Sequence, residues 1–507
     1  MTFRGQSAAE LSRRDVLRLT LGASAAMLAQ SAFPASSDAA TEYIGTPRFE
    51  RPPVFIKGFY EPVRQESTFT SLAVSGAIPA SLNGRYVRNG HNPPPDLVKG
   101  FWFGGQGMLH GVRLRNGRAE WYRNRFVRTP ALQGAPLVRK DGSFDLSASA
   151  AATSVFAHAG RIYALQEVNL PFVVTPSLDT QGVFDFGGKL RAPMTAHPKI
   201  DRATGEMLFI SNSPQPPYLS YFRVSPQGEL THTEAVEGPG PSVIHDFAVT
   251  RSHVVFIDPS VTLQEGSPLP FPYAWNENYQ AKIGIMPRDR SRGAAKFIPV
   301  DPYYIFHLTN AWDDAEGNIV FEATQYDRAA WSRSAKWINS LADHGSWVAT
   351  GTRLTRWTID PRTLEVSIKT LDELNADFPT FNQSRLGRAN RYTYMAAFPN
   401  SGGVAGRHAI VKYDSQKGRA ERHEFPEGQM PSEPWFVADP KGVGEDDGWL
   451  LSFVSDIRTH RGALCILDAT AVTKAPVAVI EIPGWIAAGV HGSWISDEEV
   501  AGQNAGA

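Results

Sequence analysis

Thirteen histidines and a single cysteine, Cys465, bound the chemistry open to this chain. One thiol allows neither an intrachain disulfide nor a thiolate cluster for zinc or iron–sulfur. A protein-held metal would therefore sit on imidazole and carboxylate, a donor set that suits iron, manganese, copper or zinc. Four histidines lie in distinctive settings: His197 in Thr195-Ala196-His197-Pro198, His245 in Ile244-His245-Asp246-Phe247, His307 in Phe306-His307-Leu308-Thr309, and His491 in Gly489-Val490-His491-Gly492. Each stands at or near the start of an apolar, strand-like run. Taken singly, such a histidine is more often a satisfied core residue than a ligand. His91, His158, His232, His253, His344, His408, His423 and His460 lie mainly in polar or turn-rich stretches and read as solvated or structural.

The elements that must carry these residues read as many short strands. Runs such as Arg161-Ile162-Tyr163-Ala164-Leu165, Met207-Leu208-Phe209-Ile210 and Trp449-Leu450-Leu451-Ser452-Phe453-Val454 are separated by polar, Gly-bearing turns. The 44 glycines and 37 prolines are spread along the chain rather than gathered into a linker. Helical periodicity is scarce outside the N-terminus and the stretch from Arg328 to Leu341. With 507 residues the chain exceeds a usual single core, and the texture favours one large all-β architecture, a propeller. No repeat of fixed period counts the blades. Fifty basic residues balance 51 acidic ones, so no nucleic-acid footprint is present and a small apolar substrate is the natural partner.

Several motifs carry a family likeness: Asn83-Gly84-Arg85-Tyr86-Val87-Arg88-Asn89-Gly90, Gly107-Met108-Leu109-His110-Gly111, Tyr122 to Thr129, the four histidine motifs and Ser432-Glu433-Pro434. In their number and order, from roughly Phe55 to Ser493, the chain resembles the carotenoid cleavage oxygenase family. That family includes apocarotenoid- and stilbene-cleaving dioxygenases and the retinal pigment epithelium isomerase. The resemblance implies a seven-bladed β-propeller with a helical and loop cap over the metal face. It also implies one Fe(II) on the propeller axis, held by His197, His245, His307 and His491, with O₂ as co-substrate; His110 is then structural. Glu167, Asp377 and Glu433 match carboxylates that hold the ligands, paired with His245, His307 and His491 respectively. Asp377 stands where the family usually has Glu, so it is expected to need an inward backbone shift or a bridging water. Thr153 matches a residue that guards a vacant coordination position, although its usual Asn neighbour is Ala152 here.

The expected reaction is oxidative cleavage of a conjugated C=C bond to two carbonyl products. Stilbene- and phenylpropanoid-cleaving relatives place Lys and Tyr at positions that here are Gln166 and Phe126, neither of which would stabilise a phenolate. The expectation therefore leans to an apocarotenoid or carotenoid, with a stilbene or phenylpropenoid such as isoeugenol as the alternative and alkene isomerisation or a metal-free binding propeller as further readings. Trp102, Phe103, Phe126 and Phe172 are candidates for an apolar tunnel, and Pro268 to Trp275 for its mouth, which would meet a membrane face peripherally. Residues 1–40 resemble a twin-arginine export signal. Arg13-Arg14 precedes a weakly apolar stretch, Leu19 to Ala29, too short to span a bilayer, followed by small residues. The reading is thus a signal for the twin-arginine export machinery over 1–40 and a single propeller domain over 41–507, delivered to the periplasm.

Overall fold

The computed structural model describes residues 53–93, 101–137, 139–140, 144–289, 291, 293–343, 345–346, 348, 351–399 and 406–501. The export-signal reading and His344 lie outside them. Seven antiparallel sheets of four to six strands follow one another along the chain and form a seven-bladed propeller, with a small two-stranded ribbon inserted in the fourth blade.

Burial explains why the strands read as they do. The second strand of the third blade, Met207–Asn212, is sandwiched between neighbouring blades and is buried along almost its whole length, so it reads as an unbroken apolar run. Two strands outward, Leu230–Ala235 faces solvent and alternates buried with exposed positions. Between blades the core is aliphatic and aromatic: Val255, Ile257, Ile283 and Ile285 of the fourth blade pack on Ile305, Phe321 and Trp357 of the fifth.

Both chain ends interlock to close the ring. The C-terminal strand Gly492–Ser496 pairs with Gly84–Arg88 in the first blade, and the early strand Val74–Gly76 pairs with Ala478–Ile482 as the edge of the seventh. The inner strands are Gly492–Ser496, Ser154–His158, Lys199–Ile200, Phe247–Val249, Tyr304–Asp313, Ala376–Thr380 and Trp435–Ala438.

One face carries a cap built on aromatic contacts. The helix Arg328–Ile338 buries Trp331, Trp337 and Ile338 against Phe55, Tyr60, Trp102 and Phe271, with Tyr60 and Trp337 ring centroids 4.6 Å apart. Its N-terminus is capped by Asp327, which accepts from the Ala330 N–H at 2.7 Å. The helix stops at Ile338, three residues short of the expected end, because the chain turns at Ser340 into the left-handed region (φ 59°) and Asn339 is diverted to bond the backbone of Phe271.

Ring closure rests on one carboxylate. Asp497, just past the C-terminal strand, accepts from Arg85 at 3.0 Å and from both terminal nitrogens of Arg113, and the two arginines are 3% and 5% exposed. Burial has pulled the Arg85 guanidinium down to about 10, a sign of how much its charge depends on this partner. Asp497→Ala should cost about 2–3 kcal/mol, less than for a fully buried pair because the Asp497 side chain is 30% exposed. A lower urea midpoint at unchanged m-value would show it; an unchanged midpoint would remove Asp497 from the closure.

Candidate metal centre

His197, His245, His307 and His491 come from four blades and converge on the axis, their ligand nitrogens within 4.8 Å of one another. His197 Nε2 and His245 Nε2 are 2.9 Å apart, and the ring centroids of His307 and His491 are 4.8 Å apart. A metal about 2.1 Å from each imidazole puts adjacent nitrogens about 3.0 Å apart and opposed ones about 4.2 Å apart, so the four fit one ion.

Hydrogen bonds say which nitrogen each ring offers. His245 Nδ1 lies 2.9 Å from Glu167 Oε1, His307 Nδ1 2.9 Å from Asp377 Oδ1, and His491 Nδ1 3.0 Å from Glu433 Oε1. Each carboxylate takes the Nδ1–H and leaves a lone pair on Nε2, so three lone pairs point at one centre. His491 Nε2 is buried with no hydrogen-bond partner in the protein, a costly state that a cation relieves. No carboxylate bonds His197 among the described residues; its backbone N–H donates to Thr195 Oγ1 at 3.2 Å, which fixes the main chain rather than the ring.

Electrostatics follow the same pairing. Burial alone would raise the Glu167 and Asp377 carboxyls, but His245 and His307 outweigh it and hold both below their ordinary range. Burial lowers His197 well below its usual value, and the neighbouring imidazoles push it further, so it stays neutral and able to ligate.

Asp377 reaches His307 directly, and no bridging water is needed. The strand register shifts between Asp377 and Thr380, and Phe378 takes a left-handed φ of 57°, so the direct contact is made from a locally distorted strand. Thr324 Oγ1 then donates to Asp377 Oδ1 at 2.6 Å and the Tyr326 hydroxyl to Oδ2.

A cavity of about 530 Å³ opens beside the histidines, within the range of small-molecule sites. Phe103, Thr153, Gln166 and Glu167 line it, with Phe271 and Tyr273 from the apolar 268–275 stretch. The Thr153 carbonyl also accepts from the His491 N–H at 3.2 Å, tying the second blade to a ligand. The Gln166 amide is committed to backbone: its oxygen accepts from Ala150 N–H and its nitrogen donates to Phe103 O, each at 3.2 Å. Two tunnel candidates lie elsewhere. Phe126 packs on Val63, Met108 and Trp485, and Phe172 sits in the second-blade core with Val155 and Ala164. Trp102 is buried in the cap behind Phe103. Both phenylalanines sit on middle strands, which face neighbouring blades rather than the axis.

Sequence reading missed Asp246 and Lys199. Asp246 Oδ1 accepts from Lys199 Nζ at 2.7 Å and from its neighbour Phe247 N–H, while Oδ2 accepts from Leu308 N–H at 2.9 Å. One carboxylate thus pins the strands that carry three ligands; its place directly after His245 was the available signal. Three other histidines, read from the sequence as solvated or structural, fall on the structural side. His91, His158 and His408 are buried rather than solvated, and His91 lines the cavity. His110 stands apart from the centre and bonds the Tyr122 hydroxyl through Nδ1 at 2.8 Å.

A four-histidine group on the axis of a seven-bladed propeller defines a protein with a candidate site for a single metal ion. A family model described as RPE65, retinal pigment epithelial membrane protein, matches residues 60–496, and the chain belongs to this family of carotenoid cleavage oxygenases. It is similar to a carotenoid cleavage oxygenase of Mycobacterium tuberculosis, 30% identical over 87% of this chain and 97% of the relative. Among solved structures it is similar to a Pseudomonas brassicacearum lignostilbene dioxygenase (TM-score 0.77, 25% identity, covering 88% of this chain and 99% of that one). It is also similar to a variant of a Synechocystis apocarotenoid oxygenase (TM-score 0.75, 27% identity, covering 87% and 98%). The chain is thus an oxygenase by family, with a four-histidine group that could hold a metal ion.

Removing a carboxylate that fixes a ligand tautomer should loosen the metal. Glu433→Gln and Asp377→Asn are each expected to lower iron affinity roughly 10–100-fold. Iron content after equilibration with graded chelator measures this, and a stoichiometry equal to the parent's would break the pairing.

Proposed function

We propose that the protein is an Fe(II)-dependent dioxygenase that cleaves a conjugated C=C bond of an apocarotenoid or carotenoid to two carbonyl products with O₂. The observation that carries this reading is the set of Nδ1–carboxylate bonds at 2.9, 2.9 and 3.0 Å, which leave three Nε2 lone pairs converging beside an apolar cavity. Bound there, ferrous iron supplies the electrons that make O₂ reactive toward the alkene. The chain's own part is to hold neutral imidazoles in one tautomer, to exclude water with the aromatic cap, and to lay the alkene against the centre.

The cavity wall favours a long conjugated substrate. Phe103, Phe271 and Phe306 give it an apolar surface, and Gln166, neutral and tied to backbone, offers no ammonium to a phenolate. The second reading, a hydroxystilbene or phenylpropenoid, is supported by the likeness to the lignostilbene dioxygenase. Iron-loaded protein incubated under ¹⁸O₂ with an apocarotenoid panel and hydroxystilbenes distinguishes them. Labelled aldehydes from the polyenes support the proposal, cleavage confined to stilbenes supports the alternative, and His245→Ala should lose both iron and turnover.

We also propose twin-arginine export to the periplasm on the strength of Arg13-Arg14 and the weakly apolar stretch behind them, and peripheral membrane contact beside the cavity mouth formed by the 268–275 stretch. Replacing both arginines with Lys should leave the protein in the cytoplasm, as fractionation would show; export of the variant would end that reading. Mature protein should float with liposomes if the membrane contact exists.

A further inference from the structure

His91 is a polar group in an apolar cavity wall, and nothing in the metal centre accounts for it. Its ring is 3% exposed and lines the cavity that also touches Thr153, Glu167, His245 and His307. Trp102 and Phe103 pack on it at centroid distances of 5.4 and 5.3 Å. These aromatic contacts fix the ring but satisfy no hydrogen bond. Nδ1 is buried without a partner, a condition that costs free energy unless a ligand or water completes it.

The surroundings say which kind of partner Nδ1 would take. Burial pulls the imidazole down to about 4, against the raising effects of Glu167 and of the backbone carbonyls of Gly105 and Phe103, so the ring is neutral. Those carbonyls favour the tautomer with the N–H on Nε2, since Nδ1 bonds neither of them, and Nδ1 keeps the lone pair. Glu167 Oε2, on the same cavity, is likewise buried without a hydrogen-bond partner and is also an acceptor. Two acceptors without donors call for an O–H, not for a carbonyl.

We propose that His91 is a specificity-determining residue whose Nδ1 accepts a hydrogen bond from a hydroxyl of the substrate, so that the cavity selects hydroxylated alkenes over the corresponding hydrocarbons. This rests on the oxygenase reading for the identity of the reaction, but not for the binding. Because the site hydrogen-bonds the hydroxyl, an analogue lacking it leaves the acceptors unpaired and is bound less well.

The test uses two apocarotenals that differ only in one ring hydroxyl, titrated against the iron-loaded full chain by quenching of tryptophan fluorescence, with Trp102 in contact with His91 as a nearby reporter. The parent should bind the hydroxylated compound at least about fivefold more tightly. His91→Phe, which keeps a ring between Trp102 and Phe103, should bring the ratio to about one while retaining affinity for the unhydroxylated compound. His91→Asn, which keeps a polar atom near the Nδ1 position, should restore part of the preference; His91→Leu serves as the apolar variant should Phe fail to fold. Equal affinities in the parent, or a preference that survives in the apolar variant, overturn the proposal. A parent that shows the binding preference yet cleaves neither compound would sink the reaction proposed above and leave this one standing; cleavage of both with equal affinity would do the reverse.

Discussion

Three hydrogen bonds from Nδ1 of His245, His307 and His491 to buried or half-buried carboxylates govern the rest of the architecture. An imidazole can offer a metal a lone pair on only one nitrogen, and which one depends on where its proton goes. Placing three carboxylates close to one point is electrostatically expensive. A fold that does so needs stiff walls, and inner strands drawn from all round a ring supply them: Phe247–Val249 and Ala376–Thr380 are buried throughout, and each is braced by its own blade.

Stiffness of the ring then depends on ties that cross from blade to blade. Asp246 joins the third, fourth and fifth blades through Lys199, its own Phe247 and Leu308, so a shift of one ligand strand would have to move the others. Glu433 does a similar service at the seam, bonding His491 through one oxygen and the Gly492 N–H through the other at 2.9 Å. The seam is where the last strand closes against the first blade, and Asp497 clamps it from the far end with two buried arginines. Closure of the fold and orientation of a ligand therefore share the five residues Gly492–Ser496.

What the sequence discloses and what it hides divide along the same line. The four histidines and the three carboxylates were legible because each sits in a motif whose residues are constrained by the axis; family likeness, rather than periodicity, picked them out. The strand texture was legible because burial on both faces writes itself as apolar runs such as Met207–Asn212. The seven blades came from the same likeness and not from a repeat, since each blade is filled with different side chains and no period survives. Phe126 and Phe172 were misplaced in the tunnel because an aromatic on a strand looks the same whether its neighbour is a cavity or the next blade. His91 was passed over for a related reason: the turn-rich stretch around it left solvent and structure equally open, and only the aromatic cap that folds down and buries it decides between them. Local composition reports what a segment is made of, and the cap is a long-range event.

Asp377 shows how a departure from a family pattern is absorbed. A carboxylate one methylene shorter has less reach, and it can meet its histidine either through a water in the gap or directly from a closer backbone. In this chain the contact is direct, made from a strand with a shifted register after Asp377 and a left-handed Phe378 whose ring stacks on His307 at a centroid distance of 5.3 Å. Such a backbone costs on the order of 1–3 kcal/mol, and the surroundings offset it with hydroxyls from Thr324 and Tyr326 on the two carboxylate oxygens. Direct contact also keeps water away from the ligand, which a bridged Asp would not. The distortion and the drier coupling between carboxylate and imidazole are thus one feature, and the hydroxyl pair that holds Asp377 belongs to the metal centre as much as the ligand it serves.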